Sequence, residues 1–437
     1  MTHIAIIGSG PSGCYIADML AKRVPGASLD IYERLPTPFG LVRAGVAPDH
    51  HQTKNITRQL DRILSRDNIS FIGNVNIGVD ISYQELKDHY HYIIFATGAS
   101  IDKTLNVAGE HHRGVYGSGE FSRWYNSHPD NADLAPLLSE NVAIIGNGNV
   151  ALDILRILSK DRNELRKSDI NPIALDTISN ADIKNIYIIG RRGPEDTSFT
   201  PMELKEALSQ ENLAFHIDKA VIPAVIPEYI PTEKIVAAEK NIQLLQSMPS
   251  PIHVNNSTIH VHLLFNSSLR EISSYNNNVT SIELAINSQP RNVSETTNTR
   301  LSLDVGTVIS AIGYTTDLIE SVPYDETKGT IAHQDSYVEI GVYAVGWCKR
   351  GANGVIPSNR ADASALGKTI IAAWENTVPL LHKEGFSGIS TLLEKRNVTY
   401  VSYDDWQRID KAEVKRAEMG KLREKYTSVS KMLELLD

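Results

Sequence analysis

Cysteine is nearly absent from this chain: Cys14 and Cys348 are the only two, they stand far apart, and no CxxC pair occurs. A zinc ribbon or a dithiol redox centre has no ligands to draw on, so neither a resident metal nor thiol–disulfide chemistry is expected. Cysteine this scarce fits a reducing, cytoplasmic compartment. Long apolar runs are missing too. No stretch of ~18 apolar residues appears, which leaves no candidate for a membrane span. A strand begins by His3, with no room before it for a secretory or transit leader. Basic residues are outnumbered, 43 Lys and Arg against 52 Asp and Glu, for a net charge of −9. Such a balance argues against nucleic acid as the main partner, because phosphate binding wants a basic footprint.

What is present is organised around two glycine turns. At 437 residues the chain exceeds one ordinary domain. The apolar run "IAIIG" (Ile4 to Gly8) reads as a buried parallel strand. An amphipathic helix follows over about Ser12–Val24, and a second strand over about Ser28–Glu33. The same arrangement returns at "NVAIIGNGNVALDILRIL", from Asn141. There the helix reads as running to about Lys167, with an irregular insertion over Ser168–Asn185 before the strand "NIYIIG". Two strand–turn–helix starts predict an α/β protein with two Rossmann-like dinucleotide-binding domains.

"YIIFATG" (Tyr92 to Gly98) and "TVISAIG" (Thr307 to Gly313) read as the points where the chain leaves the first domain and re-enters it. The first domain then spans residues 1–105 and 310–437, and the second, inserted domain spans 106–309. The Asn-, Ser- and Thr-rich stretch Tyr275–Leu301 predicts hairpins with polar turns. The segment from Leu381 reads as a polar, mainly helical appendage.

"GSGPSG" supplies Gly8, Gly10 and Gly13. The glycines allow a tight turn and let backbone N–H groups approach a pyrophosphate at the helix N-terminus. Glu33, about 20 residues beyond, is placed to accept ribose hydroxyls. Glu33 followed by Arg34 is typical of FAD sites. "GNGNVA" supplies Gly146, Gly148 and Ala151, but no carboxylate follows the next strand. Arg191 and Arg192 stand there instead. Guanidinium groups make fork-shaped, charge-assisted contacts with a 2′-phosphate, which a carboxylate would repel. NADP(H) is favoured over NAD(H).

The longer phrases "RLPTPFGLVRAGVAPDH" (Arg34 to His50), "GNGNVALD", "GRRGP" and "GWCKRGANGVIPSN" (Gly346 to Asn359) resemble the adrenodoxin-reductase-type ferredoxin–NADP reductases. The resemblance runs over nearly the whole chain, with the motifs in the family's order. It implies a flavoprotein that takes hydride from NADPH onto FAD and passes single electrons to a ferredoxin-type iron–sulfur protein. An NADPH-dependent flavin or quinone reductase, and a non-catalytic nucleotide-binding redox sensor, are the alternatives.

Carried over by position, Ser12, Glu33, Leu41 and Val75 are implied FAD contacts. Trp347 and the Gly354–Val355–Ile356 stretch are implied to lie along the isoalloxazine ring. Asn147, Gly148, Asn149 and Val150 would line the NADP pyrophosphate, and Arg191 and Arg192 would hold the 2′-phosphate. Glu203 and Gly354 would sit near the nicotinamide end. His50 and Glu206 match a His–Glu pair that family members carry near the flavin. One departure concerns "GRRGPEDTSF", which sets Glu195 and Asp196 beside the arginines. For docking an acidic ferredoxin, a helix running to Lys167 would bring Arg156, Lys160 and Lys167 within about 40° on a helical wheel.

Overall fold

The computed structural model describes residues 1–248, 258–287, 296–375 and 382–437. Residues 288–295, inside the predicted hairpin region, and Leu381, where the predicted appendage begins, lie outside the described residues. The chain forms two compact units. The first comprises Met1–Ile101, Asn126–Ala132 and Tyr314–Asp437, and the second comprises Asp102–Tyr125 and Asp133–Gly313.

The first unit is built on a six-stranded sheet. Its order is Tyr337–Glu339, Val342–Ala344, Tyr92–Phe95, Thr2–Ile7, Ala27–Tyr32 and Ile69–Ile72. All neighbours are parallel except the first pair. Thr2–Ile7 is central and covered on both faces, which is why it reads as a continuous apolar run. Ile4 and Ile6 join one core with Cys14, Ile16 and Leu20 of the helix Pro11–Arg23 and with Leu366 and Ile370 of the helix Ile356–Glu375. Ala5 and Ile7 join another with Tyr83, Leu86 and Phe95.

The segment read as a polar appendage is helical but not appended. Its helices Phe386–Lys395 and Tyr403–Lys415 contribute Ile389, Leu393, Trp406 and Ile409 to those two cores. Each supplies only a few apolar residues among many charged ones, so composition alone conceals the buried stripe.

The second unit holds another six-stranded sheet, wholly parallel, in the order Val115–Gly117, Thr307–Ser310, Asn141–Ile145, Asn185–Ile189, Ile259–Leu264 and Leu213–Ile217. A three-stranded antiparallel sheet adds Ser267–Tyr275, Asn278–Asn287 and Thr296–Asp304. The hairpin between its first two strands turns at Asn276 and Asn277, both with positive φ (48° and 63°), as a two-residue turn between twisted strands requires.

Two expectations fail in this unit. The helix after the second glycine turn is Asn149–Ser159 and stops well short of Lys167. A separate short helix, Arg162–Leu165, replaces its predicted last turns, and another, Pro172–Ser179, occupies the stretch read as irregular. Asp161 and Asn171 each cap one of them, accepting from the N–H groups of Asn163 and Ile173. The docking face drawn on one long helix dissolves with it. Arg156 is 2% exposed and paired to Asp153 at 2.8 Å, and Lys160 lies beyond the helix end.

Candidate nucleotide sites

In the first unit the strand Thr2–Ile7 ends in a turn whose three glycines have different jobs. Gly8 has φ +110°, and a Cβ there would meet the Ala96 carbonyl oxygen at 2.4 Å. A Cβ on Gly13 would fall 2.0 Å from the Gly8 carbonyl oxygen. Both are required by the fold itself. Gly10 is different: a Cβ there meets nothing within 4 Å. It also caps the helix Pro11–Arg23 without any side-chain bond. A helix N-terminus with no side-chain cap, beside a residue that leaves room for close approach, suits a pyrophosphate.

Glu33 follows directly on the strand Ala27–Tyr32. Its carboxylate accepts from the Ser9 hydroxyl at 2.6 Å and from the Ser9 and Leu35 N–H groups at 3.2 and 3.3 Å. Ser9, inside the glycine motif, was not singled out in the sequence, yet it aims the acid. Ser12 is 8% exposed at the start of the helix. Val75 is buried as a core residue and bonds Glu33 through its backbone at 3.0 Å, so it can offer a ligand main-chain groups and little side chain. Leu41 opens the short helix Leu41–Ala44 and is 37% exposed. His50 sits half-buried at the N-terminus of His51–Lys54.

The Trp347 segment packs against the same glycine-turn helix. Gly346 has φ +78°, and a Cβ there would fall 2.2 Å from the Ser12 hydroxyl. Trp347 stacks on Tyr314 with centroids 6.4 Å apart. Its indole Nε1 is buried without a hydrogen-bond partner, a cost that a bound acceptor would remove. Asp362 holds this turn in place. It accepts from the Gly346 N–H at 2.6 Å and the Arg350 guanidinium at 2.8 Å, and it also pairs with Lys349. No local pattern marks Asp362 in the sequence; only folding brings it to the turn. Gly354 (φ +84°) and Val355 are exposed, and Ile356 begins the following helix. Cys14 and Cys348 are both fully buried, and burial pushes both thiols up, so neither is poised as a thiolate.

In the second unit Gly146 has φ +128°, and a Cβ there would meet the Ala311 carbonyl oxygen at 2.2 Å. Gly148 caps the helix Asn149–Ser159, again with no side-chain bond. Asn147 is 7% exposed, with its Nδ2 buried and unpartnered. Asn149 accepts from the Thr200 N–H at 2.8 Å, and Val150 lies in the first turn of the helix. Arg191 and Arg192 follow the strand Asn185–Ile189. Arg191 is exposed, while Arg192 is half-buried and donates to the Ser198 hydroxyl at 2.6 Å. Glu203 and Glu206 share the helix Pro201–Leu208, and both reach the buried Arg156, at 3.6 and 3.8 Å. Each unit thus offers an uncapped helix N-terminus for one pyrophosphate. The first adds a carboxylate and an unpartnered indole, as a flavin dinucleotide fits. The second adds two guanidinium groups, as a phosphorylated ribose fits.

Residues 2–175 match the pyridine nucleotide-disulphide oxidoreductase family. The chain is 37% identical to the mitochondrial NADPH:adrenodoxin oxidoreductase of Arabidopsis thaliana, covering 99% of this chain and 94% of that protein. It is 34% identical to the corresponding Bos taurus protein, covering 99% of this chain and 92% of that one. It is 33% identical to the cindoxin reductase of Citrobacter braakii, covering 99% and 90%. Among solved structures, Mycobacterium tuberculosis FprA in complex with NADPH superposes with a TM-score of 0.91 at 32% identity, covering 99% of both chains.

Proposed function

The chain belongs to the adrenodoxin-reductase family, and from that premise we propose that it is an NADPH-dependent ferredoxin-type reductase. The observation that carries this reading is the pair of unlike nucleotide sites: a glycine turn with Glu33 in one unit, and a glycine turn with Arg191 and Arg192 in the other. When bound, FAD supplies acceptance of a hydride as an electron pair and release of the electrons one at a time.

The residues here do the holding. Gly10 and the N-terminus of Pro11–Arg23 take the FAD pyrophosphate, Glu33 takes its ribose, and Trp347, positioned by Asp362, takes the ring. Gly148, Asn149 and Val150 take the NADPH pyrophosphate, and the two arginines take its 2′-phosphate. Hydride transfer needs no protein acid or base, so His50 and Glu206 act on orientation and flavin potential. The electron acceptor is an iron–sulfur protein of the ferredoxin type, in keeping with the named activities of the relatives. No described helix is long and apolar enough to cross a membrane. We place the protein in a reducing, cytoplasmic compartment, a reading supported by its two unpaired, buried cysteines.

An anaerobic titration tests this. NADPH should bleach the flavin of the purified protein, and oxidised [2Fe–2S] ferredoxin should restore the colour while itself becoming reduced. A protein bleached by NADPH that reoxidises with quinone but not with ferredoxin would instead be a quinone reductase. One that NADPH never bleaches would be no reductase at all.

A further inference from the structure

The arginine pair that reads the 2′-phosphate is opposed by two neighbouring carboxylates. Glu195 and Asp196 follow Arg191 and Arg192 within five residues, and both are buried, at 4% and 6% exposure. Glu195 accepts from the Tyr229 hydroxyl at 2.5 Å. Asp196 pairs with Arg192 at 3.2 Å. Two guanidinium groups beside two carboxylates leave the turn with no net charge, which is a poor receptor for a phosphate dianion.

A third cation is present from another element. Lys234, in the first turn of the helix Thr232–Gln246, reaches the same Asp196 oxygen that Arg192 does, at 3.5 Å. That helix is fastened to the loop. Asn241 donates through Nδ2 to the Thr197 hydroxyl at 3.0 Å and to the Phe199 carbonyl oxygen at 3.1 Å. Lys234 and Asn241 are seven residues apart and so lie on one helical face, with the buried Ala238 between them. The Lys234 side chain remains 52% exposed. Its position is thus set by the fold, while about half of its side chain stays accessible to a ligand.

We infer that Lys234 is a third cation of the 2′-phosphate subsite and sets the preference for NADPH over NADH together with Arg191 and Arg192. It restores the positive excess that Glu195 and Asp196 remove. Asp196, shared between Arg192 and Lys234, keeps the two cations converged on one point before the nucleotide arrives. This assignment rests on the reading of Arg191 and Arg192 as the 2′-phosphate contacts.

The test uses the FAD-loaded enzyme and two probes, 2′,5′-ADP and 5′-AMP, which differ by the 2′-phosphate. Binding of each is measured by calorimetry for the native protein, Lys234→Met, Lys234→Arg and Arg192→Ala. Lys234→Met should weaken 2′,5′-ADP by about 2- to 5-fold, as expected for one partly exposed charge contact. It should leave 5′-AMP unchanged, and Lys234→Arg should restore most of the loss. Unchanged 5′-AMP binding also shows that the variant is folded. If Arg192→Ala weakens 2′,5′-ADP and Lys234→Met does not, Lys234 is outside the subsite and the assignment falls while the arginine reading stands. If neither variant separates the two probes, the arginine reading itself is wrong and the assignment falls with it.

Discussion

Glu413, completely buried on the helix Tyr403–Lys415, accepts the Arg43 guanidinium at 2.5 Å across 370 positions of sequence. Arg43 belongs to the "GLVRAG" phrase that also holds the implied flavin contact Leu41, and it lies over the Trp406 ring at 5.1 Å. Lys425 donates to the Arg43 carbonyl oxygen at 2.9 Å, and the Tyr426 N–H donates to Glu413 at 3.0 Å. The C-terminal segment therefore clamps the loop that carries Leu41 and Arg43.

Removing Glu413 should loosen both fold and cofactor. Glu413→Ala leaves Arg43 buried without its charge partner, a defect that typically costs about 3–5 kcal/mol. The expected result is a lower thermal midpoint and faster FAD loss on dialysis, followed by flavin fluorescence in the dialysate. Glu413→Gln keeps a hydrogen-bond acceptor and should be milder on both measures. FAD retention and melting identical to the native protein in Glu413→Ala would show that the clamp is idle.

Gly10 and Gly8 should fail in different ways. At Gly8 both the positive φ and the Ala96 carbonyl oppose any side chain, so Gly8→Ala should lower expression and stability. At Gly10 the backbone has φ −69° and a Cβ would meet no protein atom within 4 Å. Gly10→Val should fold, judged by circular dichroism, yet purify colourless, because the side chain occupies the space where the pyrophosphate approaches. A yellow Gly10→Val protein releasing normal amounts of FAD would remove this turn from the flavin site.

Arg191, exposed after the strand Asn185–Ile189, should matter for one nicotinamide and not the other. A charge-assisted contact is worth about 1.5–3 kcal/mol, or roughly 10- to 100-fold in affinity. Arg191→Ala should raise the KM for NADPH on that scale in a ferricyanide assay and leave the KM for NADH nearly unchanged. Equal losses with both cofactors would mean that Arg191 acts on something common to them.

The pH dependence of stability should show two opposed slopes. His262 is stacked between Tyr187 (4.7 Å) and His216 (4.9 Å). Burial, then the neighbouring His216 and His260, lowers its titration from 6.5 to about 4. The folded state thus binds fewer protons than the unfolded one in that window. The stability contributed by neutral His262 is complete above 6.5 and is lost as pH falls toward 4. Asp30 works the other way. Burial pushes its carboxyl from 3.8 up to about 6, so the stability of its protonated form is complete below 3.8 and is lost as pH rises through 6. His262→Gln removes only the first term. The drop in melting temperature from pH 7 to pH 5 should therefore shrink in this variant, and an unchanged drop would exclude His262 as its source.

Much of the site was legible in the chain because it is written locally. A strand, a glycine turn and a helix lie within about 20 residues, and their chemistry follows from spacing alone. That is how Gly8, Gly10, Gly13 and Glu33 stood out, as did the arginines that follow "IIG". The helix predicted to run to Lys167 failed for the opposite reason. Its last residue is held from far along the chain, with Asn212 donating to the Ser159 carbonyl oxygen at 2.6 Å and the Ser159 hydroxyl donating to Gln210 at 3.0 Å, and no window of sequence around Ser159 contains either partner.

By itself, then, the sequence determined the paired nucleotide folds, with a carboxylate after one glycine turn and two guanidinium groups beyond the other. These are set by short-range geometry and by which side chains exist at all. Only the tertiary structure decided which charges are neutralised and which remain available. Asp362 reaches Gly346, Glu413 reaches Arg43, and Lys234 reaches Asp196 because packing of apolar faces brings separate elements together. The strength of each charge then follows from that burial and pairing, which no linear spacing records.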